Sequence, residues 1–434
     1  MQMPADSSKP EKIFVKSYGC ASNLVDGEVI RGCLIKEGFS LTREQKEASL
    51  LIFNTCAVKT QTENKIINTL KKVPKDKKLI ISGCLPLINP ERLNKEVKWH
   101  GLLGPSPGLE IVEVVEKVIK GETSSLLKSN PKPPLSLPRL HTSKTIMTIP
   151  ICYGCINNCT YCCVHLARGH LRSYTIDDIS ELVRETVKEG FREIWLTGQD
   201  LACYGNDIDT NLVELLKNIV KIKDKFLIRL GMMNPSSLRP ILPELVNIFK
   251  NRKLFKFLHL PIQSGDSKVL KDMNRLYNPA DVKEIVYTFR ENLEVFTIAT
   301  DIIYGFPTES DTAFRNTLNL LSEMRPDIIN ISRFFPRPKT PLYNTQSLPL
   351  PAINNRSQLL SKLATMITAA RNREWLNWEG EVLVDESGFS PNSFIARNFA
   401  YKPITIKTGK NLLGKFVKIR VTAHHSTYLE GELS

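Results

Sequence analysis

Short apolar runs alternate with helical periodicities over two long stretches of this chain, and that alternation leaves few folds open. Between about residues 12 and 122, Ile13–Ser17, Leu50–Asn54 and Leu79–Ser82 read as buried strands, with helices predicted over Val25–Lys36 and Thr60–Lys72. Apolar strands separated by helices argue a parallel sheet with helices packed on it. A second stretch, about 145–372, offers six strand candidates: Thr145–Ile149, Glu193–Thr197, Phe226–Leu230, Phe255–Leu260, Phe296–Ile303 and Ile328–Phe334. Six strand–helix units in about 225 residues suit a full or partial parallel barrel. One of its helices has a clear start, with Thr175 as N-cap and Asp178 at the third helical position. Ile179, Leu182, Val183 and Val187 then share a face before Gly190.

The joining segment, residues 123–144, carries Pro131, Pro133, Pro134 and Pro138 without strand or helix period, and reads as a semi-rigid linker. From about Trp375 to residue 434 the helical period stops. EVLVDE, SFIARN, PITIK and KFVKIRVTAH are short alternating runs broken by Gly and Pro, as in a small antiparallel β-barrel. The expected fold is therefore α/β: a parallel-sheet domain over 12–122, a partial barrel over 145–372 and a β-barrel over 375–434.

Composition narrows the class. With 434 residues, 42% apolar and 24% charged, the chain can bury two or three cores and is neither disordered nor fibrous. No apolar run approaches the ~18–20 residues of a membrane span, and MQMPADSSKPEK lacks the apolar core of a signal peptide. A soluble, cytoplasmic, monomeric protein is expected. Lys and Arg total 59 against 45 Asp and Glu, a net charge of +14. Such an excess favours a polyanionic partner, nucleic acid above all; a lysine-rich surface of the heat-adapted kind is the alternative.

Ten cysteines are too few for a disulfide scaffold of this length. Five of them, Cys152, Cys155, Cys159, Cys162 and Cys163, crowd into one short segment. Cys155-x3-Cys159-x2-Cys162 can bring three thiolates to one metal centre from a single loop. Zinc sites usually pair cysteines as C-x2-C and take four ligands. Three thiolates on a [4Fe–4S] cluster leave one iron open. Cys152 and Cys163 fall outside that register and read as packing residues. Cys20, Cys56 and Cys84 each follow a predicted strand, so all three belong on one edge of the sheet, where open α/β folds place their sites. From spacing alone they suit a second iron–sulfur cluster or small buried core positions. Cys33, inside a helix, reads as core.

C-x3-C-x2-C with Tyr161 before its last cysteine resembles the radical S-adenosylmethionine (SAM) superfamily. SYGCASNLVDGE, NTCAVKTQTENK and ISGCLP ahead of it, and an all-β tail behind, resemble the methylthiotransferases within that superfamily over nearly the whole chain. LTGQD, RLGMMNP, HLPIQSG, MNRLY and DIIYGFPTES also match. FFPRPKTPLY departs from the pattern at Lys339, where the family more often has glycine. The resemblance implies two [4Fe–4S] clusters. Cys155, Cys159 and Cys162 would hold the one that binds SAM and cleaves it to a 5′-deoxyadenosyl radical. Cys20, Cys56 and Cys84 would hold an auxiliary cluster involved in delivering sulfur. SAM would serve twice, as radical source and as methyl donor, and an external electron donor would be needed.

Gln199, Asp200, Arg229 and Gln263 sit at predicted strand ends on the active edge of a parallel barrel. With Tyr161 they are candidates for positioning SAM; capping strand ends is their plainer role. The tail resembles a TRAM domain, an RNA-binding β-barrel. Arg397, Lys402, Lys407, Lys415 and Lys418 are its candidate phosphate contacts, interleaved with Phe394, Phe399, Tyr401 and Phe416. Gly409-x4-Gly414-Lys415 mimics a phosphate-binding loop, but Phe416 replaces Ser/Thr and no helix follows. Three substrates occur within the family: N6-isopentenyladenosine at tRNA position 37, N6-threonylcarbamoyladenosine at the same position, and an aspartate of a ribosomal protein. The basic balance favours RNA, and the tail with NTCAVKTQTENK resembles the archaeal and eukaryotic threonylcarbamoyladenosine branch. A zinc-containing RNA-binding protein without activity is the non-enzymatic alternative.

Overall fold

A computed structural model describes residues 12–128 and 132–434. The first eleven residues and Pro131, which entered the readings of a leader and of the linker, lie outside the described residues. The chain forms two compact units. One comprises residues up to 142 with 162–170 and 337–343; the other comprises 143–161, 171–336 and 344–434.

In the first unit, β1 (Lys12–Ser17), β2 (Ser40–Thr42), β3 (Leu50–Thr55), β4 (Lys78–Gly83), β5 (Gly101–Leu103) and β6 (Ser124–Leu126) form one parallel sheet. Its order is β2-β1-β3-β4-β5-β6. All six residues of β3 are buried, because helices cover both faces. Leu51 and Phe53 join Ile66, Ile67 and Ile81 in one core, while Leu50 and Ile52 join Ile13, Ile30 and Ile80 in the other. Period-two alternation divides one strand between two cores. The three predicted strands are present. The three-residue β2, β5 and β6 are additions, and β6 corrects the linker boundary, since residues 124–126 pair with β5. The rest of the linker is tied to the helix Ala21–Lys36. Leu140 N donates to Glu28 O at 3.0 Å and Thr142 N to the Glu28 carboxylate at 2.8 Å. Gly32 permits this approach, since a Cβ there would stand 2.1 Å from Pro138 O.

The second unit holds all six predicted barrel strands: β7 (Ile146–Pro150), β10 (Glu193–Thr197), β11 (Leu227–Leu230), β12 (Phe257–His259), β13 (Thr297–Tyr304) and β14 (Ile328–Arg333). A small antiparallel ribbon, β8 (Cys152–Tyr153) with β9 (Arg172–Ser173), follows the first of them. Two parallel three-stranded sheets, β7-β10-β11 and β12-β13-β14, meet through bridges at Ile228–Leu254 and Met232–His259. The result is an open partial barrel. Thr175 caps the helix Ile176–Lys188 by accepting from Asp178 N, as its sequence predicts.

The tail closes into a five-stranded barrel of β15 (Glu379–Ser387), β16 (Ser393–Arg397), β17 (Pro403–Lys407), β18 (Phe416–His424) and β19 (Leu429–Leu433). The last strand escapes sequence reading because LEGEL has two apolar residues and owes its form to pairing with β18 and β17. The turn after β16 inserts Tyr401 against Phe255 and Phe257, at centroid distances of 4.8 and 4.9 Å, where the barrel strands begin. Lys256 N donates to Phe399 O there at 2.7 Å. No helix among the described residues is long and apolar enough to cross a membrane.

At the same junction Glu193, the first residue of β10, is buried beside Asp385 of β15. Burial and the neighbouring carboxyl push Glu193 well above the usual carboxylate range, and burial raises Asp385. A raised folded value means the native state keeps a proton that the unfolded chain releases above about pH 4. Stability should therefore fall as pH rises from that point. Glu193→Gln removes one of the two carboxyls while still accepting from Trp195. It should raise stability near pH 8 by about 1–2 kcal/mol and flatten the pH profile, as read by urea unfolding at several pH values.

Candidate metal centres

Adjacent parallel strands end on one edge, and β1, β3 and β4 are neighbours. Cys56 and Cys84 follow β3 and β4 directly, and Cys20 comes three residues after the end of β1. Gly19 and Gly83 precede two of these cysteines with φ of +115° and +99°, a region that side chains rarely adopt. A Cβ on Gly19 would stand 2.7 Å from Cys56 Cβ, and one on Gly83 2.3 Å from Thr55 O. The loops thus approach closely because two positions lack side chains. Asn23 ties them together, donating to Tyr18 O at 2.8 Å and Thr55 O at 3.0 Å, while its Oδ1 lies 4.0 Å from Cys84 Sγ.

Burial pushes the Cys84 thiol up to about 12 and raises Cys56; Cys20 is exposed. The bare protein therefore does not ionise the Cys56 and Cys84 thiols, and a bound cationic metal would have to. A single zinc needs all its ligands about 2.0–2.3 Å from one ion. Among the described residues no three His, Cys, Asp or Glu side chains could hold one ion. A four-iron cluster spreads its thiolates around a larger core, and three thiols on one edge, one of them open to solvent, fit that group.

The other cysteine loop begins in the second unit. Burial alone would raise the Cys155 thiol, but a hydrogen bond from Cys203 outweighs it and brings Cys155 down to about 7. Asn157 N and Nδ2 each lie 3.4 Å from its sulfur. Burial raises Cys159, and Arg275, 3.6 Å from its sulfur, opposes that. Tyr161 also hydrogen-bonds Cys159. Donors on the sulfurs favour thiolate and suit a cluster ligand. Cys162 opens the segment 162–170, which belongs to the first unit. Cys163 and Cys152 are buried, as packing residues should be, and so is Cys33. Cys203, isolated in sequence, proves to be a neighbour of Cys155; nothing in its own surroundings in the sequence marks it.

Gln199 and Asp200 reach the loop. The Gln199 side chain accepts from Gly154 N at 2.6 Å. Asp200 accepts from Asn157 Nδ2 at 3.0 Å and Ser237 Oγ at 2.7 Å, and from Ala202 N and Asn234 N. Gln263 takes a φ of +67° and bridges to Asp301 and Ile303 through its backbone. Arg229 is a correction: its guanidinium is held in an aromatic box, 4.8 Å from Trp195, 5.3 Å from Phe257 and 5.4 Å from Tyr401. It packs the barrel interior where the tail enters. Lys339 adopts φ of +63°, the conformation glycine favours, so the loop keeps a glycine-like shape at that departure.

Two tail residues are also corrected. Lys402 is buried, with Nζ 2.8 Å from Asp327 Oδ1 and 2.9 Å from Asn372 Oδ1. Arg397 pairs with Asp385 at 3.1 Å and Glu386 at 3.0 Å and lies over Tyr401. Carboxylates occupy both, which removes them as phosphate contacts. Lys407, Lys415 and Lys418 are exposed.

A three-cysteine loop following the first strand of a parallel partial barrel is the hallmark of radical SAM proteins. Residues 149–321 match the Radical SAM superfamily, 12–104 the Uncharacterized protein family UPF0004, and 379–434 the TRAM domain. Among solved structures, the radical SAM methyltransferase TsrM from Kitasatospora setae shares the fold, with a TM-score of 0.59 at 14% identity over 77% of this chain and 75% of that one. This is a radical SAM protein with an appended TRAM barrel. Its relatives are closer than the fold alone: a probable threonylcarbamoyladenosine tRNA methylthiotransferase of Pyrococcus horikoshii is 38% identical over 97% of this chain and 99% of its own length. The Homo sapiens threonylcarbamoyladenosine tRNA methylthiotransferase is 34% identical over 99% of this chain and 75% of its own. The chain belongs to the threonylcarbamoyladenosine tRNA methylthiotransferase family.

The corrected tail makes a paired prediction. Lys402→Met leaves Asp327 buried with Arg371 as its remaining cation, and should cost about 2–4 kcal/mol of stability without changing tRNA affinity. Lys418→Ala should leave stability unchanged, weaken tRNA binding, and reduce the salt slope of log K by about one if Lys418 meets a phosphate. Denaturant unfolding and filter binding at several salt concentrations separate the two.

Proposed function

We propose that the chain converts N6-threonylcarbamoyladenosine at position 37 of tRNA to its 2-methylthio derivative. The observation that carries this reading is the alignment of nearly the whole chain with relatives of that name, on a fold that holds a three-cysteine loop at the barrel edge. The net change replaces the hydrogen on C2 of adenine with sulfur and a methyl group. A [4Fe–4S] cluster carrying SAM supplies, when bound, a carbon radical able to take hydrogen from an unactivated C–H bond.

Cys155, Cys159 and Cys162 would hold that cluster. Asn157 and Arg275 donate towards the sulfurs of the first two and stabilise their thiolates. Gln199 fixes the loop through Gly154 N, and Asp200 holds Asn157 in place. These are orienting roles, and no acid–base pair is required of the side chains. Cys20, Cys56 and Cys84 would hold a second [4Fe–4S] cluster, the one associated with sulfur. The exposed lysines of the tail, Lys407, Lys415 and Lys418, would meet the tRNA backbone.

Anaerobically reconstituted protein, incubated with reductant, SAM and tRNA carrying threonylcarbamoyladenosine, should give a nucleoside heavier by one methylthio group in place of hydrogen. Cys155→Ala should abolish SAM cleavage. Cys56→Ala should keep uncoupled cleavage and lose thiolation, and equal loss of cleavage in both variants would count against two separate sites. SAM cleavage without any mass gain would retain the radical site and reject this substrate.

A further inference from the structure

Arg168 is the largest fully buried side chain among the described residues, and the reaction as described leaves it without a role. It ends the short helix Val164–Arg168 within the segment 162–170 of the first unit. Its guanidinium donates to Asn23 Oδ1 at 2.7 Å, Asp26 Oδ2 at 2.6 Å and Ser106 Oγ at 2.8 Å. All three partners are themselves buried. Asp26 also accepts from Ser106 at 2.6 Å, so its carboxylate is paired and hydrogen-bonded.

The contact to Asn23 has a consequence for the thiols. An amide side chain presents one accepting and one donating end. A guanidinium at Oδ1 turns Nδ2 towards Tyr18 O and Thr55 O, the carbonyls of the segments that lead into Cys20 and Cys56. The same Oδ1 faces Cys84.

We infer that Arg168 is the positioning residue of the auxiliary thiol site, orienting the Asn23 clamp that holds the loops of Cys20, Cys56 and Cys84 together. The inference rests on the reading of those thiols as a cluster site. A purely structural Arg168–Asp26 pair would contribute to folding and leave a bound cluster's properties untouched. Reduction potentials of iron–sulfur clusters respond to nearby charge and to hydrogen bonds around the sulfurs, which separates the two roles.

The test uses the full chain with Cys155, Cys159 and Cys162 replaced by alanine, so that only the auxiliary site can take up iron. After anaerobic reconstitution this background should hold about four irons per chain; no bound iron would reject the auxiliary cluster itself, whatever Arg168 does. In the same background, Arg168→Met with Asp26→Asn removes the cation without leaving a buried carboxylate. Once circular dichroism shows it folded, it should lose that iron, or retain it with a shifted midpoint potential and altered g-values in an EPR-monitored redox titration, because the donor that orients Asn23 is gone. Arg168→Lys keeps the charge paired with Asp26 but lacks the fork that also reaches Asn23. It should keep the iron, with altered g-values and faster loss to a chelator. Unchanged iron content, potential and spectrum in the folded double variant would overturn the inference. Should the double variant not fold, an unchanged spectrum and chelation rate in Arg168→Lys would overturn it.

Discussion

Parallel strands all point the same way, so whatever follows each strand arrives at a common edge. That constraint gathers the candidate site residues in both units. Cys20, Cys56 and Cys84 are far apart in sequence, yet each lies just past β1, β3 or β4, and these three strands are neighbours in the sheet. In the barrel, Gln199 and Asp200 follow β10 and Gln263 lies beyond β12, on the edge to which β7 leads the cysteine loop. An antiparallel sheet of the same strands would send alternate ends to opposite edges and scatter the thiols. The glycines before Cys20 and Cys84 complete the arrangement by letting the loops close on one another.

The opposite end of the barrel is used differently. Where the strands begin, Tyr401 from the tail sits against Phe255 and Phe257, Arg229 stacks among the rings, and Lys402 reaches Asp327. The β-barrel is therefore built onto the stability face and leaves the carboxyl edge free for chemistry, the usual division of labour in parallel barrels. Burying Lys402 and Asp327 together tolerates charge inside the junction because each has hydrogen-bonding partners besides the other.

The parallel strands of both units were legible wherever an apolar run was long enough to mark burial on both faces. β3, with six buried residues, is the plainest case. β2, β5, β6 and β19 were not, because three to five residues with few apolar side chains become strands only through their neighbours. The cysteines stand out in sequence because their spacing and their places after predicted strands need no knowledge of the fold. Asn23, Asn157, Arg168, Arg275 and Cys203 could not, since what each does depends on a partner brought near by the fold. Arg168 reaches Asn23 and Asp26 across more than half of the first unit's sequence, and Cys155 meets Cys203 only after β10 is in place. Arg229, Arg397 and Lys402 were misread for the same reason: a basic residue looks alike in sequence whether it awaits a phosphate, an aromatic ring or a distant carboxylate.

That ambiguity leaves the argument from net charge intact. Four buried cations each have a buried carboxylate: Arg168 with Asp26, Arg337 with Glu63, Arg356 with Glu309 and Lys402 with Asp327. Pairs of this kind remove equal numbers of positive and negative charges from the surface. Such pairs therefore leave the formal excess of +14 undiminished. Its long-range field attracts a polyanion without specifying a sequence, while registry must come from local contacts. In the tail Lys407, Lys415 and Lys418 stay exposed, whereas the two basic side chains nearest the junction are already neutralised from within.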